Sequence, residues 1–320
     1  MANRVDLSII VLNFRTPAET VAAIESARKI ADKIRAEFIV VDNASGDDSV
    51  DYIRRHISDT RIVEMHTNSG FAAGMNAGIR QSTGDFVFLM NSDVEAEPGS
   101  IETLLNYMRS NPDVGLAAPL LLGKSGEPSR TLLLQPTVFR ALIPCVGKMQ
   151  YWRWQRLLDK SPLEVEATEG AALLVRRETI EQVGLLDEDF FFYHEIVEWC
   201  MRIRDRGFRV IVLPESRMIH TGGGSTGALV KAARIELKRS EYKLLQKRLG
   251  RIASKATICR DVVSELISTC FYAILCLLSF GKYNRAREKF AVHWAIWTWI
   301  MIGMPERNEA SYQTKFGRWD

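Results

Sequence analysis

The sequence predicts an α/β protein: a doubly wound, mostly parallel sheet, followed by a helical tail of different character. Three observations predict it. Apolar, β-branched runs alternate with stretches of helical periodicity, each run ends in small polar residues, and the charge balance changes sign near Gly227.

Residues 7–12 (LSIIVL) make the first strand, closed by Asn13; Val21, Ile24, Ala27 and Ile30 then recur at helical spacing. Residues 37–41 (EFIVV) repeat the strand, with Asp42-Asn43-Ala44-Ser45-Gly46 as its turn and a helix over 49–56. The alternation continues through a strand at 61–65, a helix at 72–81 and a strand at 85–90 (DFVFLM) that ends in Asn91-Ser92-Asp93. Strands that alternate with helices pair in parallel, because each crossover needs a helix to return the chain. Residues 115–165 carry Pro119, Pro128, Pro136, Pro144 and Pro162 and read as connecting segments, with a short helix around Tyr151, Trp152 and Trp154. A strand at 170–176 (GAALLVR), helices at 177–183 and 195–207, and a last strand at 209–213 (RVIVL) complete the first region.

The composition is that of an ordinary globular protein, with 47% apolar and 25% charged residues, which excludes disordered, collagen-like and disulfide-scaffold classes. The net charge of +3 divides unevenly: residues 1–227 hold 25 Lys and Arg against 31 Asp and Glu, and residues 228–320 hold 17 against 8. Two regions are therefore expected, 1–227 and 228–320. Nine basic and two acidic residues lie within 231–255, ahead of two apolar stretches at 266–280 and 290–304. Each stretch falls short of the roughly 20 residues that span a bilayer. With Trp294, Trp297 and Trp299 beside Lys and Arg, the tail is expected to attach to an anionic membrane surface, and no nucleic-acid partner is expected. The five cysteines show no CxxC spacing, as reduced thiols would, and the first apolar run is too short for an export signal.

In a doubly wound sheet, ligands bind beyond the carboxyl ends of the strands, where Asn13, Asp42, Asn68 and Asp93 all fall. An acid at the end of 85–90 suits a divalent cation bridging a diphosphate: Mg²⁺ or Mn²⁺ takes few carboxylate oxygens and completes its shell with phosphate and water. The string Asn68-Ser-Gly-Phe-Ala-Ala-Gly-Met-Asn76-Ala-Gly78 has neither the G-x-G-x-x-G nor the G-x-x-x-x-G-K-[ST] spacing, which weakens dehydrogenase and P-loop readings.

The segments SIIVLNF, IVVDNASGD, TNSGFAAGMNAGI, FVFLMNSD, EGAALLVRRETIEQVGLLDEDFFFYHEIVEWCMRIRDRGFRV and PESRMIHTGGGS occur in this order over about residues 7–226. The chain thereby resembles glycosyltransferase family 2, with its GT-A fold, and in particular a rhamnosyltransferase-like branch that builds bacterial surface polysaccharides. The resemblance implies that Asn13 and Asp42 line the nucleoside and that Asn68, Gly74 and Asn76 line the donor pocket. Asp93 and His220 would hold the metal, and Glu169, Gly170 and Ala171 would lie near the transferred sugar and the acceptor. It further implies an inverting transfer from a nucleotide-diphospho sugar, with dTDP-L-rhamnose a candidate, to a lipid-linked (polyprenyl diphosphate) saccharide. The place of action would be the cytoplasmic face of the inner membrane, with the protein attached peripherally.

One departure bears on catalysis. The acidic pair that opens the last helix of such enzymes corresponds to Glu195-Ile196, and Ile196 cannot accept a proton. The base would then be Glu195 or, one turn on, Glu198, with His194 ranked third. A sugar-nucleotide-binding partner of another transferase, without turnover of its own, and a sugar nucleotidyltransferase are the alternatives.

Overall fold

The computed structural model describes residues 5–30, 34–129, 131–143, 146, 148–149, 151–152, 162–222, 230–280 and 282–306. Trp154, Cys145, residues 223–225 and the expected boundary at Gly227 lie outside the described residues. The chain forms two compact units. One comprises Met1–Gln135, Lys148–Phe191 and Glu195–Ser225; the other comprises Pro136–Gly147, Phe192–His194 and Thr226–Asp320.

The first unit is built on a sheet of β1 (Leu7–Asn13), β2 (Ala36–Asp42), β3 (Arg61–Glu64), β4 (Phe86–Asn91), β5 (Val94–Ala96), β6 (Val114–Leu122), β8 (Leu163–Glu164), β10 (Ala172–Arg176) and β11 (Arg209–His220). A two-stranded ladder pairs β7 (Leu132–Leu133) with β9 (Ala167–Thr168). The main sheet runs β3-β2-β1-β4-β10-β6-β11-β5, with β8 on β11. Strands β1 to β4 pair in parallel through the crossover helices α1 (Pro17–Ile30), α2 (Ser49–His56) and α3 (Gly70–Gln81), as the alternation predicts. The other half is mixed. β10 enters from the proline-bearing stretch and lies antiparallel to β4 and β6, and β11 is parallel to β6 but antiparallel to β5 and β8.

Period-two alternation divides β1 between two cores. Leu7, Ile9 and Val11 join Val21, Ile24, Phe88, Leu104 and Met108 on the face covered by α1 (Pro17–Ile30) and α4 (Ser100–Ser110). Ile10 and Leu12 face α3 (Gly70–Gln81), whose Gly78 and Gly74 let helix and strand meet: a Cβ there would lie 2.4 Å from Ile10 Cγ2 and 2.5 Å from Leu12 Cδ1. Gly74 and Gly78 of the 68–78 string thus serve helix–sheet packing.

Register sets the site. Asn13 pairs with Asp42 and Leu12 with Asn91, so β1, β2 and β4 end flush. The antiparallel β10 starts where β4 stops, with Asn91 N–H donating to Ala171 O at 2.9 Å. The β5–β11 pairing sets His220 opposite Val94.

The second unit contains helices Val230–Leu249, Arg251–Leu278 and Asn284–Met301. The apolar stretch at 266–280 is therefore the end of a 28-residue helix, long and apolar enough by length and composition to cross a bilayer. Cys200, Cys259, Cys270 and Cys276 are free thiols.

Candidate active site

The loops after β1 and β2 form one buried knot. Asn13, fully buried, donates from Nδ2 to Asp42 Oδ1 at 2.6 Å and to Ser45 Oγ at 3.1 Å, while its Oδ1 accepts from Thr20 Oγ1 at 2.9 Å. Asp42 accepts from Ser45 Oγ at 2.6 Å and from Ser45 N–H at 3.0 Å. Here both predicted nucleoside-lining side chains turn inward and shape the loop. Arg15 and Ala44 hold left-handed backbone, at φ 58° and 57°, on the two sides of this knot. Non-glycine residues pay for that conformation with local strain, which clusters at functional loops.

Asn43 is the hub that sequence reasoning missed. Its Nδ2 donates to Asn68 Oδ1 at 2.9 Å and to Gly70 O at 3.2 Å, and its Oδ1 accepts from Ser69 N–H at 3.2 Å. The available signal was the run of small, mostly polar residues, Asp42-Asn43-Ala44-Ser45, that closes β2. Through it Asn68 is fixed at the entrance to α3, where its Oδ1 also accepts from Gly70 N–H.

Gly74 and Asn76, which the resemblance places along the donor pocket, make packing and backbone contacts here. Gly74 packs on Leu12. Asn76 is fully buried and clamps the 186–188 segment: Nδ2 donates to Leu186 O and Glu188 Oε1, each at 2.9 Å, and Oδ1 accepts from Leu186 N–H at 3.1 Å. Arg80 adds a 2.7 Å contact to Glu188, and the Asn76 and Arg80 bonds together hold that carboxyl below its ordinary range. One turn earlier Phe71 N–H donates to Phe191 O, and Gly70, at φ +89°, has no room for a Cβ, which would sit 2.2 Å from the same oxygen. α3 therefore anchors the segment that leads to Glu195.

At the end of β4, Asp93 meets His220. Their Oδ1 and Nε2 lie 3.4 Å apart, and both side chains keep partial access to solvent. Thr221 N–H and Oγ1 both donate to Asp93 O, which locks the two strand ends together. Burial pushes the His220 imidazole pKa down, but contact with Asp93 and the charges of Asp93 and Glu169 outweigh it and hold it above the usual histidine value. Glu169 is tied by its N–H to Thr131 O at 2.9 Å. Gly170 is pressed against Ile196, whose Cγ1 would lie 2.8 Å from an added Cβ. Residues 169–171 thus connect the Asp93 edge to the first turn of the Glu195–Asp205 helix.

That helix begins after two consecutive left-handed residues, Tyr193 and His194, at φ 70° and 66°. Glu195 and Glu198 are both buried at 6% exposure. Glu198 is committed: Arg202 Nε donates to its Oε2 at 2.7 Å, while the same guanidinium donates to Val183 O and Leu185 O.

A divalent cation fits the donor set at Asp93 and His220. Among the described residues no group of three or more His, Cys, Asp or Glu could hold a metal ion. A carboxylate oxygen and an imidazole nitrogen at one point instead suit a shared ion completed by phosphate and water.

The model of glycosyl transferase family 2 matches residues 8–184. The chain belongs to this family. The low-salt glycan biosynthesis hexosyltransferase Agl10 of Haloferax volcanii is 27% identical over 216 residues, covering 64% of each chain. An N-acetylglucosaminyl-diphospho-decaprenol L-rhamnosyltransferase of Mycobacterium tuberculosis is 27% identical over 207 residues, 59% of this chain and 67% of that one. The matches thus span about two thirds of these relatives. Among solved structures, a mannosyltransferase from Pyrobaculum calidifontis in complex with GDP-Man and Mn²⁺ superposes with a TM-score of 0.58 at 16% identity, covering 96% of this chain and 89% of that one. GalNAc-T7 with UDP, GalNAc and Mn²⁺ gives 0.56 at 14% identity, over 95% and 57%. The GT-A fold expected from the motif order is the fold observed.

Proposed function

We propose that the chain is an inverting, metal-dependent glycosyltransferase that moves a hexose, with L-rhamnose the leading candidate, from a nucleotide-diphospho sugar to a lipid-linked saccharide. The observation that carries it is the meeting of Asp93 and His220 at the edge where β1, β2 and β4 end. Family membership supports the reaction class. Rhamnose draws support from the names of the Mycobacterium tuberculosis relative and of a dTDP-rhamnosyl transferase from Shigella flexneri, 23% identical over 189 residues. The decaprenol in the first name supports a lipid-linked acceptor and hence action at a membrane, which we place at its cytoplasmic face.

Asp93 and His220 would hold Mg²⁺ or Mn²⁺, which when bound supplies positive charge to the departing diphosphate. The rest falls to the chain's own residues. The Asn13–Asp42–Ser45 and Asn43–Asn68 knots shape the loops over which the nucleoside lies. Glu195 takes the proton of the acceptor hydroxyl as its oxygen bonds to the anomeric carbon from the face opposite the breaking carbon–oxygen bond, so configuration inverts. Ile196 cannot share this work, and Glu198 is held by Arg202.

Nucleotide sugars screened by thermal shift with and without Mn²⁺ test donor recognition, since a ligand at 100 times its Kd should stabilise the fold by about 2.7 kcal/mol. Transfer to a polyprenyl-diphosphate saccharide tests the reaction. Ile196 favours one second reading, a binding partner without turnover; it predicts donor stabilisation with neither transfer nor hydrolysis.

A further inference from the structure

The Arg251–Leu278 helix is built inside out. Its buried positions are Ser254, Thr257, Asp261, Glu265 and Thr269, a polar stripe at helical spacing. Its outward face from Val263 onward is apolar: Ile267 is 63% exposed, Phe271 56%, Ile274 55% and Leu278 73%. A helix of a water-soluble bundle points its apolar stripe inward, so this orientation needs another apolar surface.

The two buried carboxylates of the stripe are paired within the helical unit. Asp261 Oδ2 accepts from Lys238 Nζ and from the Tyr242 hydroxyl, each at 2.8 Å, and Arg260 pairs with Oδ1. Glu265 Oε2 lies 2.6 Å from His293 Nδ1. Buried carboxylates need such partners, so these contacts define which way the helix faces. Only 17% of its most apolar 18-residue window is buried, unlike a core helix of similar composition. The exposed Arg251 and Lys255 lie in the first turns of the helix, ahead of the apolar face along the axis and to its flank, which suits an anionic boundary beside an apolar interior.

We propose that this outward face lies in the headgroup–acyl boundary of an anionic lipid bilayer, with Ile267, Phe271, Ile274 and Leu278 in the acyl region and Arg251 and Lys255 at the phosphates. The helix lies along the surface, because its opposite side is closed by the polar seam to Lys238, Tyr242 and His293. This inference deepens the membrane-face placement of the proposed function but stands on the helical unit alone.

The full chain should float with vesicles of phosphatidylcholine and phosphatidylglycerol at low salt, bind pure phosphatidylcholine about tenfold less, and weaken as salt rises. The double variant Ile267→Asp/Phe271→Asp should lose about tenfold or more of vesicle binding while keeping helicity by circular dichroism and vesicle-free hydrolysis of the donor. Arg251→Gln/Lys255→Gln, away from the apolar residues, should instead reduce the preference for anionic vesicles. Wild-type protein that stays unbound to both vesicle types overturns the proposal. So does an aspartate variant that floats like wild type, or one that converts a lipid-free dimer to a monomer with vesicle binding unchanged, which would assign the face to a second copy. Donor hydrolysis without vesicles reads the proposed function separately.

Discussion

The sheet unit and the helical unit place polarity in opposite ways. In the sheet unit Leu7, Ile9, Val11, Phe88 and Met90 fill the interior, and the polar residues collect where the strands end. In the Arg251–Leu278 helix the carboxylates of Asp261 and Glu265 are buried and Ile267, Phe271 and Leu278 point outward. The first arrangement is what water selects, and the second leaves an apolar face that needs another apolar surface, which we propose to be lipid. On the proposals above, one chain would carry an aqueous reaction edge and a surface suited to the phase in which its lipid-linked acceptor resides.

The contrast breaks most readily at the reaction edge. Asp93→Ala should lower transfer by about 100-fold or more at saturating donor, the several kcal/mol expected of lost metal support, without loss of fold by circular dichroism. Glu195→Gln should lower kcat about 100-fold with little change in donor KM, as removal of a general base does; near-normal turnover would remove Glu195 from the mechanism. The clamp beneath the edge acts on stability as well. Asn76→Ala leaves Leu186 without its two side-chain bonds and should cost about 1–3 kcal/mol in urea denaturation. The smallest effect compares interior with surface. Burial raises the Cys200 thiol to about 12, so at pH 8 it carries almost no thiolate, whereas Cys259 and Cys270 are exposed. A maleimide should label those two in the native protein and reach Cys200 only on unfolding, as read by mass spectrometry.

The polar edge where the strands end was legible in the sequence because strand ends are marked locally. Asn13, Asp42 and Asp93 each follow a run of β-branched or aromatic residues, and flush register is the ordinary outcome of parallel pairing. The meeting of Asp93 with His220 was legible only through the order of motifs, since the β5–β11 pairing joins segments that no local periodicity connects. The clamp made by Asn76 was hidden because an amide that binds a ligand and one that holds a backbone look alike in sequence; only the fold shows its bonds to Leu186. The helical unit hid for a different reason. Asp261 and Glu265 interrupt the apolar run in one dimension and shorten it to 266–280, but in the folded helix they share the inner face and leave the outer one continuous. Periodicity says which residues share a face, and only packing says which face is buried.

The central claim is that Asp93 and His220 act as one site on a cation and a diphosphate. Calorimetric titration of the donor's nucleoside diphosphate, with and without Mn²⁺, into wild-type protein, Asp93→Ala, His220→Ala and the double variant tests it most directly. Binding should depend on Mn²⁺ in the wild type, lose that dependence in each single variant, and fall little further in the double variant. Equal affinity with Mn²⁺ and with a chelator, or single-variant losses that simply add, would contradict it.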